Sequence, residues 1–286
     1  MTHVSARRGA LYVSVAATAW GTGGAAGSLL FDTGGLGPVG VSLWRYLLGA
    51  AFLLVLTRSA PLTWNGRTLL VGAGMAVYQT AYFAAIAHSG VAVATVVTMG
   101  ATPIFTALGS RFLLRERLGR VALGALAAAL AGLLLLTGEA ALETGASLGV
   151  GFALVSAAGY AGVTLLSRHG RDDDSRAVAV GGFVVGAVCL APFALAEGVV
   201  PEVSWTSVAL LVYLGAVPTA LAYGLFFRAL TALSATTVSI ISLGEAVGAA
   251  LLGVLLFGEH LTPVAWCGCV LLLAAVTVLA ARADAA

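Results

Sequence analysis

Charge is the property that this sequence lacks most. Only 9% of its 286 residues are charged and 60% are hydrophobic, whereas about a quarter of a soluble domain is charged. Lysine is absent, and every basic residue except histidine is arginine. A formal net charge of +2 on such a chain provides no basic surface for nucleic acid, so we expect no nucleic-acid partner. A soluble globular protein is excluded, because few segments have a polar helix face.

Cysteine and clustered acids are scarce too. The three cysteines, Cys189, Cys267 and Cys269, fall in hydrophobic segments, and a Cys-x-Cys pair without neighbouring His or Asp does not indicate a metal site. The acidic run at 172–174 lacks the second acidic cluster that a diphosphate site requires, so we interpret it as a solvated hinge. A Walker-type phosphate-binding loop is missing as well. We therefore expect neither a metal nor a cofactor.

What the chain has instead is a series of long apolar segments. Each matches the roughly 17–25 residues that a helix needs to cross a bilayer, where backbone groups must find partners within the segment. Eight of these segments carry no charge, and 39–57 and 234–257 carry one each. The uncharged segments are 9–31, 68–87, 89–110, 121–138, 144–167, 177–196, 203–227 and 261–281. We therefore predict an all-α, multi-pass membrane protein with ten transmembrane helices, numbered spans 1 to 10.

The arginines and the acids occupy different loops. Every arginine except Arg45 lies at a terminus or in a loop that follows span 2, 4, 6 or 8, which we call the arginine-rich side. The other loops form the acidic side, with Asp32, Glu139, Glu143, Glu197, Glu202 and Glu259. The positive-inside rule predicts that both termini are cytoplasmic. Exclusive use of arginine, with so much alanine and glycine, favours a bacterial inner (cytoplasmic) membrane.

The two halves of the chain resemble each other. AYFAAIAHSGVAVAT at 81–95 aligns with AYGLFFRALTALSAT at 222–236, FLLRERL at 112–118 with LLFGEHL at 255–261, and AATAWGT at 16–22 with SAAGYAG at 156–162. Because a unit of five spans is odd, the second copy enters the membrane in the opposite sense. We predict two inverted five-helix repeats, residues 1–140 and 141–286, a construction common in secondary transporters.

In these stretches the chain resembles the drug/metabolite transporter superfamily, in its EamA-domain branch. The matching stretches are AWGTG, WRYLLGA, ATPIFTALGSRFLLRERL and LGEAVGAALLGVLLFGEHLTP, and the resemblance covers about 10–282. It implies a carrier that works by alternating access, often as an exporter, without enzymatic activity. It also implies a central cavity lined mainly by spans 1, 3, 4, 6, 8 and 9. The family usually has proline after the span-9 glutamate; this chain has Ala246, so the usual cause of a helix break there is missing.

Two charged residues lie at depth in predicted spans. Glu245 is about ten residues into span 9, where a charge costs at least ~2.5 kcal/mol and burial favours the protonated form. It is either a proton-coupling group, for which proton and substrate compete, or a neutral acid bonded to a neighbouring helix. For Arg45 in span 2 three roles stay open: its side chain snorkels outward to the membrane surface, forms an ion pair with an acid, or binds a substrate carboxylate.

Aromatic and hydroxyl side chains complete the predicted substrate site. Tyr78, Gln79 and Tyr82 lie within five residues of span 3, Tyr223 is the repeat partner of Tyr82, and Thr98 lies in a polar stripe of span 4. Aromatic rings beside a carboxylate favour a cationic or amphipathic ligand. The predicted substrate-binding residues are Trp20, Tyr78, Gln79, Tyr82, Thr98, Thr102, Tyr160, Tyr223 and Glu245, with Arg45 as a candidate carboxylate contact.

Proline and glycine give two further expectations. Pro103 in span 4 and Pro218 in span 8 each remove one backbone hydrogen bond and predict a bend. The small residues Gly124, Ala128 and Gly132 in span 5 predict close helix packing.

The sequence thus predicts a secondary transporter, proton-coupled and exporting small metabolites such as amino acids or related amphipathic compounds. It would act in the lipid bilayer as a monomer or weak homodimer. Two alternatives stay open. An intramembrane enzyme acting on a lipid or isoprenoid would need clustered acids or histidines at one membrane face. A passive channel would conduct in proportion to the gradient without exchange.

Overall fold

The computed structural model describes residues 4–57, 65–116, 119–142, 147–170, 174–257 and 260–282. Over these residues the chain is almost entirely helical and contains no strand, so the all-α prediction is confirmed for them. The helices are α1 (Ala6–Gly34), α2 (Pro38–Thr57), α3 (Gly66–Gly109), α4 (Arg120–Leu142), α5 (Ser147–His169), α6 (Ser175–Glu197), α7 (Trp205–Gly215), α8 (Ala222–Ala232), α9 (Ala235–Ser242), α10 (Gly244–Phe257) and α11 (Pro263–Arg282). Two π-helical segments are π1 (Ser110–Leu114) and π2 (Ala216–Leu221).

Polar residues just before the helices set where they begin. Ser5, Asn65, Asp174 and Ser234 each accept a hydrogen bond from a backbone amide in the first turn of the helix that follows. Ser204 does the same for α7 in a reciprocal capping box. Such caps satisfy amides that have no partner inside the helix, which matters most where water is excluded.

Eight helical segments among the described residues are long and apolar enough to cross a membrane. They correspond to predicted spans 2 to 4 and 6 to 10. The helix of span 1, α1, has 29 residues but is not among the eight, and α4 contributes a shorter apolar segment, Arg120–Leu136. A multi-pass helical membrane protein is therefore supported. The count of ten spans, the inverted repeats and the sides of the termini stay predictions.

Predicted spans 3 and 4 both lie in the helical element α3 and its continuation into π1, as two membrane-length segments, Gly66–Ser89 and Val93–Leu114. The Tyr82 hydroxyl nevertheless lies 2.9 Å from the Thr95 hydroxyl. A straight helix would separate these residues by about 20 Å along its axis. The chain must therefore reverse its direction between them, so that α3 contributes two antiparallel spans.

Side-chain contacts bring several arginine-rich ends of the helices together. The Arg228 guanidinium lies 5.5 Å from the ring centre of Tyr12, near the start of α1. Arg168 Nε donates to Glu116 at 3.0 Å, and Arg168 Nη1 donates to the Leu230 carbonyl at 2.9 Å. These bonds tie the end of α5 to the chain after π1 and to the end of α8.

The acidic side has its own set of contacts. The Glu197 carboxylate accepts from the amides of Val39 and Gly40 at 2.8 Å each, and so caps the start of α2. The Trp44 indole N–H donates to the Val199 carbonyl at 2.8 Å. These bonds tie the end of α6 and the chain after it to the first turns of α2, and the division of the loops into two sides stays a prediction.

One of the two glycines predicted to allow close helix packing does so, and both prolines lie within helical elements. A Cβ at Gly132 would lie 2.8 Å from the Gly268 carbonyl, so α4 and α11 approach closely there, whereas a Cβ at Gly124 would have no neighbour within 4 Å. Close packing is thus observed at Gly132 and not at Gly124. Pro103 lies inside α3, whose helical assignment continues past it, and Pro218 lies in π2.

Candidate functional site

A cavity lies among the helices at the depth of Glu245. About 580 Å³ of space lies between its walls, and this figure includes the part that is open to the outside. Its lining residues come from α1, α2, both antiparallel spans of α3, α5, α8 and α10. The lining residues are Trp20, Gly23, Gly24, Arg45, Tyr78, Gln79, Tyr82, Phe83, Thr98, Met99, Ser156, Tyr160, Tyr223 and Glu245.

The structure brings nearly all of the predicted site residues to this cavity. All of them except Thr102 are among its lining residues. Thr102 is 3% exposed, and its hydroxyl donates to the Thr98 carbonyl at 2.7 Å within the same helix. Thr102 therefore has a backbone partner one turn away from the lining residue Thr98.

Trp20 is at the centre of an aromatic cluster that forms one wall. Its ring centre lies 5.0 Å from that of Tyr223, 5.3 Å from that of Phe226 and 6.2 Å from that of Tyr160, all in edge-to-face arrangements. Trp20 is 5% exposed, and its indole N–H has no acceptor among the described residues. A buried indole N–H normally finds a partner, so a ligand with an acceptor group would satisfy it.

Two tyrosines connect the two halves of the chain across the cavity. The hydroxyls of Tyr78 and Tyr223 form a hydrogen bond. Tyr78 is further held through its backbone, because Ser156 Oγ donates to the Tyr78 carbonyl at 2.8 Å. α3, α5 and α8 therefore meet at this point, and the two rings are fixed as parts of the cavity wall.

Hydroxyl side chains join α3 to its neighbours beyond the cavity. Thr98 Oγ1 donates to the Ala153 carbonyl of α5 at 3.2 Å. Ser239 Oγ of α9 donates to Thr106 Oγ1 at 3.0 Å, and Thr236 Oγ1 donates to the Ser110 hydroxyl at 3.3 Å. Of the polar stripe predicted in span 4, Thr98 bonds to α5 and lines the cavity, whereas Thr95 and Thr102 bond to other residues of α3.

Glu245 lies in the first turn of α10, immediately after a break in the helix. α9 ends at Ser242, and α10 begins at Gly244. Around the break the Leu243 amide donates to the Ile240 carbonyl and the Ala246 amide donates to the Leu243 carbonyl, both at 3.1 Å. Each of these bonds spans three residues, as in a 3₁₀-helix, and not the four of an α-helix. The break exists although proline is absent at position 246. The positive end of α10 therefore favours the carboxylate.

Arg45 does not snorkel out of the bundle, because it is only 7% exposed. Its Nε donates to Thr219 Oγ1 at 2.9 Å, its Nη1 to Gln79 Oε1 at 3.4 Å and its Nη2 to the Pro218 carbonyl at 3.2 Å. All of these acceptors are neutral. Within the described part of the chain no carboxylate forms an ion pair with Arg45 within 4.0 Å.

The cavity therefore holds two opposite charges that do not pair with each other. Glu245 and Arg45 both line it and act on each other electrostatically without a direct contact. For the described residues, no side chain donates a hydrogen bond to the Glu245 carboxylate. Such a pair of groups is suited to a ligand that carries a cationic and an anionic group.

The cavity also has lining residues that the sequence did not single out. Gly24 lies one helical turn from Trp20, and Ser156 one turn from Tyr160. The helical spacing of four residues was the signal that was available for both. Met99 follows Thr98 directly and has no comparable signal.

The acidic run proposed as a hinge is only partly described. Asp172 and Asp173 lie outside the described residues, and Asp174 accepts a hydrogen bond from the Arg176 amide as the cap of α6. Among the described residues no group of three or more His, Cys, Asp or Glu is placed to hold a metal ion. The geometry of the described acids thus indicates a capping role for Asp174.

Comparison with known proteins gives matches over nearly the whole chain. The model of the EamA-like transporter family matches residues 7–138 and again 147–281. An uncharacterised transporter of Bacillus subtilis (strain 168), YwfM, is 31% identical over 281 residues, which cover 95% of this chain and 93% of that protein. A crystal structure of a protein that is 22% identical superposes with a TM-score of 0.82 over 94% of this chain and 95% of the other. That likeness shows the fold alone.

Proposed function

This chain belongs to the EamA-like transporter family, and we propose that it is a proton-coupled secondary transporter of small amphipathic metabolites. It works by alternating access in a bacterial inner membrane and exports its substrate. Amino acids and related compounds with both an amine and a carboxylate are the proposed substrate class. The protein functions as a monomer or a weak homodimer.

The observation that carries the proposal is the position of Glu245. Its carboxylate lies on a cavity in the middle of an apolar segment, at a helix start, with no hydrogen-bond donor from another described side chain. A carboxylate held for structural reasons would be expected to be bonded to a neighbouring helix. A carboxylate that must exchange a proton or bind an amine has to be accessible from a cavity.

The substrate class follows from the lining of the cavity. Glu245 offers a negative charge for an ammonium group, and Arg45 offers a positive charge for a carboxylate. The rings of Trp20, Tyr78 and Tyr223 provide an apolar surface for the rest of the molecule. This combination selects compounds that have charged groups at one end and an apolar body.

The proton enters the mechanism by competition. A protonated Glu245 does not hold an ammonium group, and a deprotonated Glu245 does. If the cavity opens alternately to the two sides, proton binding on one side releases the substrate there, and substrate binding on the other side releases the proton. Rocking of two helical bundles about a central site supplies the alternation.

The decisive experiment compares wild type with Glu245→Gln in liposomes, over a panel of amino acids and organic cations. Counterflow and uptake driven by a pH gradient are both measured. We expect Glu245→Gln to lose uptake driven by the pH gradient and to show counterflow only at higher substrate concentrations, because the amide does not hold an ammonium group. The apparent affinity of wild type for its substrate should rise from acidic to neutral pH, because Glu245 binds an amine only after it loses its proton. The apparent affinity of Glu245→Gln should not change over the same pH range. Glu202→Gln, at an exposed glutamate away from the cavity, is the matched control.

Other results would contradict the proposal in distinguishable ways. A Glu245→Gln protein that behaves like wild type in both assays shows that coupling does not depend on this carboxylate. Flux proportional to the gradient, without counterflow, identifies a channel. Chemical conversion of lipid or isoprenoid by the reconstituted protein identifies the enzyme alternative.

A further inference from the structure

A widened turn in predicted span 8 leaves one backbone carbonyl without its helical partner. In an α-helix the amide of Ala222 would donate to the carbonyl of Pro218. At the end of π2 this amide donates instead to the carbonyls of Val217 and Thr219. The Pro218 carbonyl accepts from Arg45 Nη2 at 3.2 Å. Arg45 of α2 therefore donates to the carbonyl that the Ala222 amide does not reach.

Thr219 makes the second attachment between π2 and Arg45. Because Pro218 has no amide hydrogen, the Leu214 carbonyl loses its helical donor. Thr219 Oγ1 donates to that carbonyl at 2.7 Å and accepts from Arg45 Nε at 2.9 Å. Thr219 is completely buried, so its hydroxyl is fixed by these two bonds and in turn fixes the plane of the guanidinium group.

Arg45 keeps hydrogen-bonding capacity after these contacts. A guanidinium group has one N–H on Nε and two on each terminal nitrogen. Nε binds Thr219, Nη1 binds Gln79 and Nη2 binds Pro218. Among the described residues, one N–H on each terminal nitrogen is therefore left without an acceptor. A carboxylate needs the same set of donors to form a bidentate pair with arginine.

Such a ligand would reach Arg45 from the cavity, which Arg45 lines. Gly23 packs against the same region, because a Cβ there would lie 3.0 Å from Pro218 Cβ and 3.9 Å from Arg45 Nη2. A buried cation without an anionic partner is unfavourable. A substrate carboxylate would supply both the missing counter-charge and the missing acceptors.

We propose that π2 is a positioning element which, through Thr219 and Pro218, holds Arg45 in the orientation that recognises the carboxylate of the substrate. The inference rests on the proposed function, since it assigns one end of the proposed substrate to one place in the cavity. Thr219 is a positioning residue. It acts through Arg45 and does not contact the ligand.

The test is equilibrium binding of tritiated phenylalanine to the purified full-length protein, with unlabelled phenylalanine or its methyl ester as competitor. The ester keeps the ammonium group and the ring but has no carboxylate. In wild type we expect the acid to compete at least about tenfold better than the ester. Thr219→Val keeps the shape and removes the hydroxyl, and should reduce this preference to about twofold or less. Thr219→Ser should restore it.

Thr164→Val is the matched control. Thr164 is also fully buried, its hydroxyl is bonded to a backbone carbonyl one turn earlier, and it is not a lining residue of the cavity. This variant should keep the wild-type preference for the acid. Pro218→Ala provides a second test, because it returns an amide to the chain and allows π2 to become α-helical. It should also lose the preference.

Other results would contradict the role of π2, the proposed function, or both. If Thr219→Val folds like wild type but keeps the preference, the inference is wrong. If Thr219→Val does not fold, a preserved preference in Pro218→Ala overturns the inference instead. If wild type does not distinguish acid from ester, yet shows uptake of amines driven by the pH gradient, the inference fails and the proposed function stands. If wild type binds neither compound and exchanges nothing in the panel, both fail.

Discussion

Gly132→Ala is expected to destabilise the protein, because α4 and α11 touch at this glycine. A Cβ at position 132 would lie 2.8 Å from the Gly268 carbonyl oxygen and 2.8 Å from the Leu272 amide nitrogen. Ordinary van der Waals contact begins at 3.4 Å, so the two helices would have to move apart by about 0.6 Å. Both atoms belong to the backbone and cannot rotate away, as the end of a flexible side chain could.

The expected size of the effect follows from this displacement. Overpacking of a well-packed contact costs ~1–3 kcal/mol, and the separation also weakens the packing of Leu272, which is completely buried beside Gly132. Replacing glycine by alanine in a helix returns up to about 1 kcal/mol through helix propensity. We therefore expect a net loss of ~1–2 kcal/mol, which corresponds to a fall in Tm of about 2–8 °C for a chain of this size.

Gly124→Ala on the same helix is the control, because a Cβ there would have no neighbour within 4 Å. It makes the same chemical change, so it should leave Tm equal to that of wild type or slightly higher. Thermal unfolding in one detergent, followed by the loss of the monodisperse peak in size-exclusion chromatography, measures both variants. A Gly132→Ala protein that melts at or above the temperature of Gly124→Ala would refute the close approach of α4 and α11.

Two further predictions concern contacts inside the bundle. Glu116→Gln should lower the free energy of unfolding by about 1 kcal/mol, because the ion pair is largely buried, with the Glu116 side chain 24% and the Arg168 side chain 13% exposed. If the effects of Glu116→Gln and Arg168→Gln on Tm simply add in the double variant, the ion pair does not contribute to stability. Tyr223→Phe removes only the hydroxyl bonded to Tyr78, so the KM of counterflow should change by less than about threefold. Tyr223→Ala removes the ring and should raise KM by more than about tenfold, and an equal KM for both variants would contradict a cavity wall made by this ring.

The lining of the cavity was largely predictable, because a helix repeats its faces every three to four residues. Trp20 and Tyr160 were recognised as large aromatic residues in segments of similar sequence. Gly24 and Ser156 lie one turn from them and were missed, since small residues give little signal in a chain with 37 glycines. Periodicity predicts which face is used, but it does not say how far along that face a cavity extends.

The two irregular points of the backbone were harder to predict. The sequence lacked the expected helix breaker after Glu245, yet the break lies at Leu243, beside Gly244. Glycine lowers helix stability by about 1 kcal/mol, and this was the usable signal. Pro218 predicted a disturbance of span 8, but its carbonyl also accepts a hydrogen bond from Arg45, which comes from a different helix. Tertiary contacts of this kind cannot be read from local sequence.

These irregular points explain how two charges are tolerated inside an apolar bundle. Glu245 stands in the first turn of α10, at the positive end of the helix dipole, and Arg45 stands against π2, where the Pro218 carbonyl lacks its α-helical donor from Ala222. Arg45 therefore donates to oxygens of neutral groups, and the positive end of α10 favours the Glu245 carboxylate, without an ion pair between the two. A direct bond between Glu245 and Arg45 would satisfy both and leave the cavity neutral and unreactive. Because the two groups line the cavity without pairing with each other, the proposed ligand with two complementary charges would reach both.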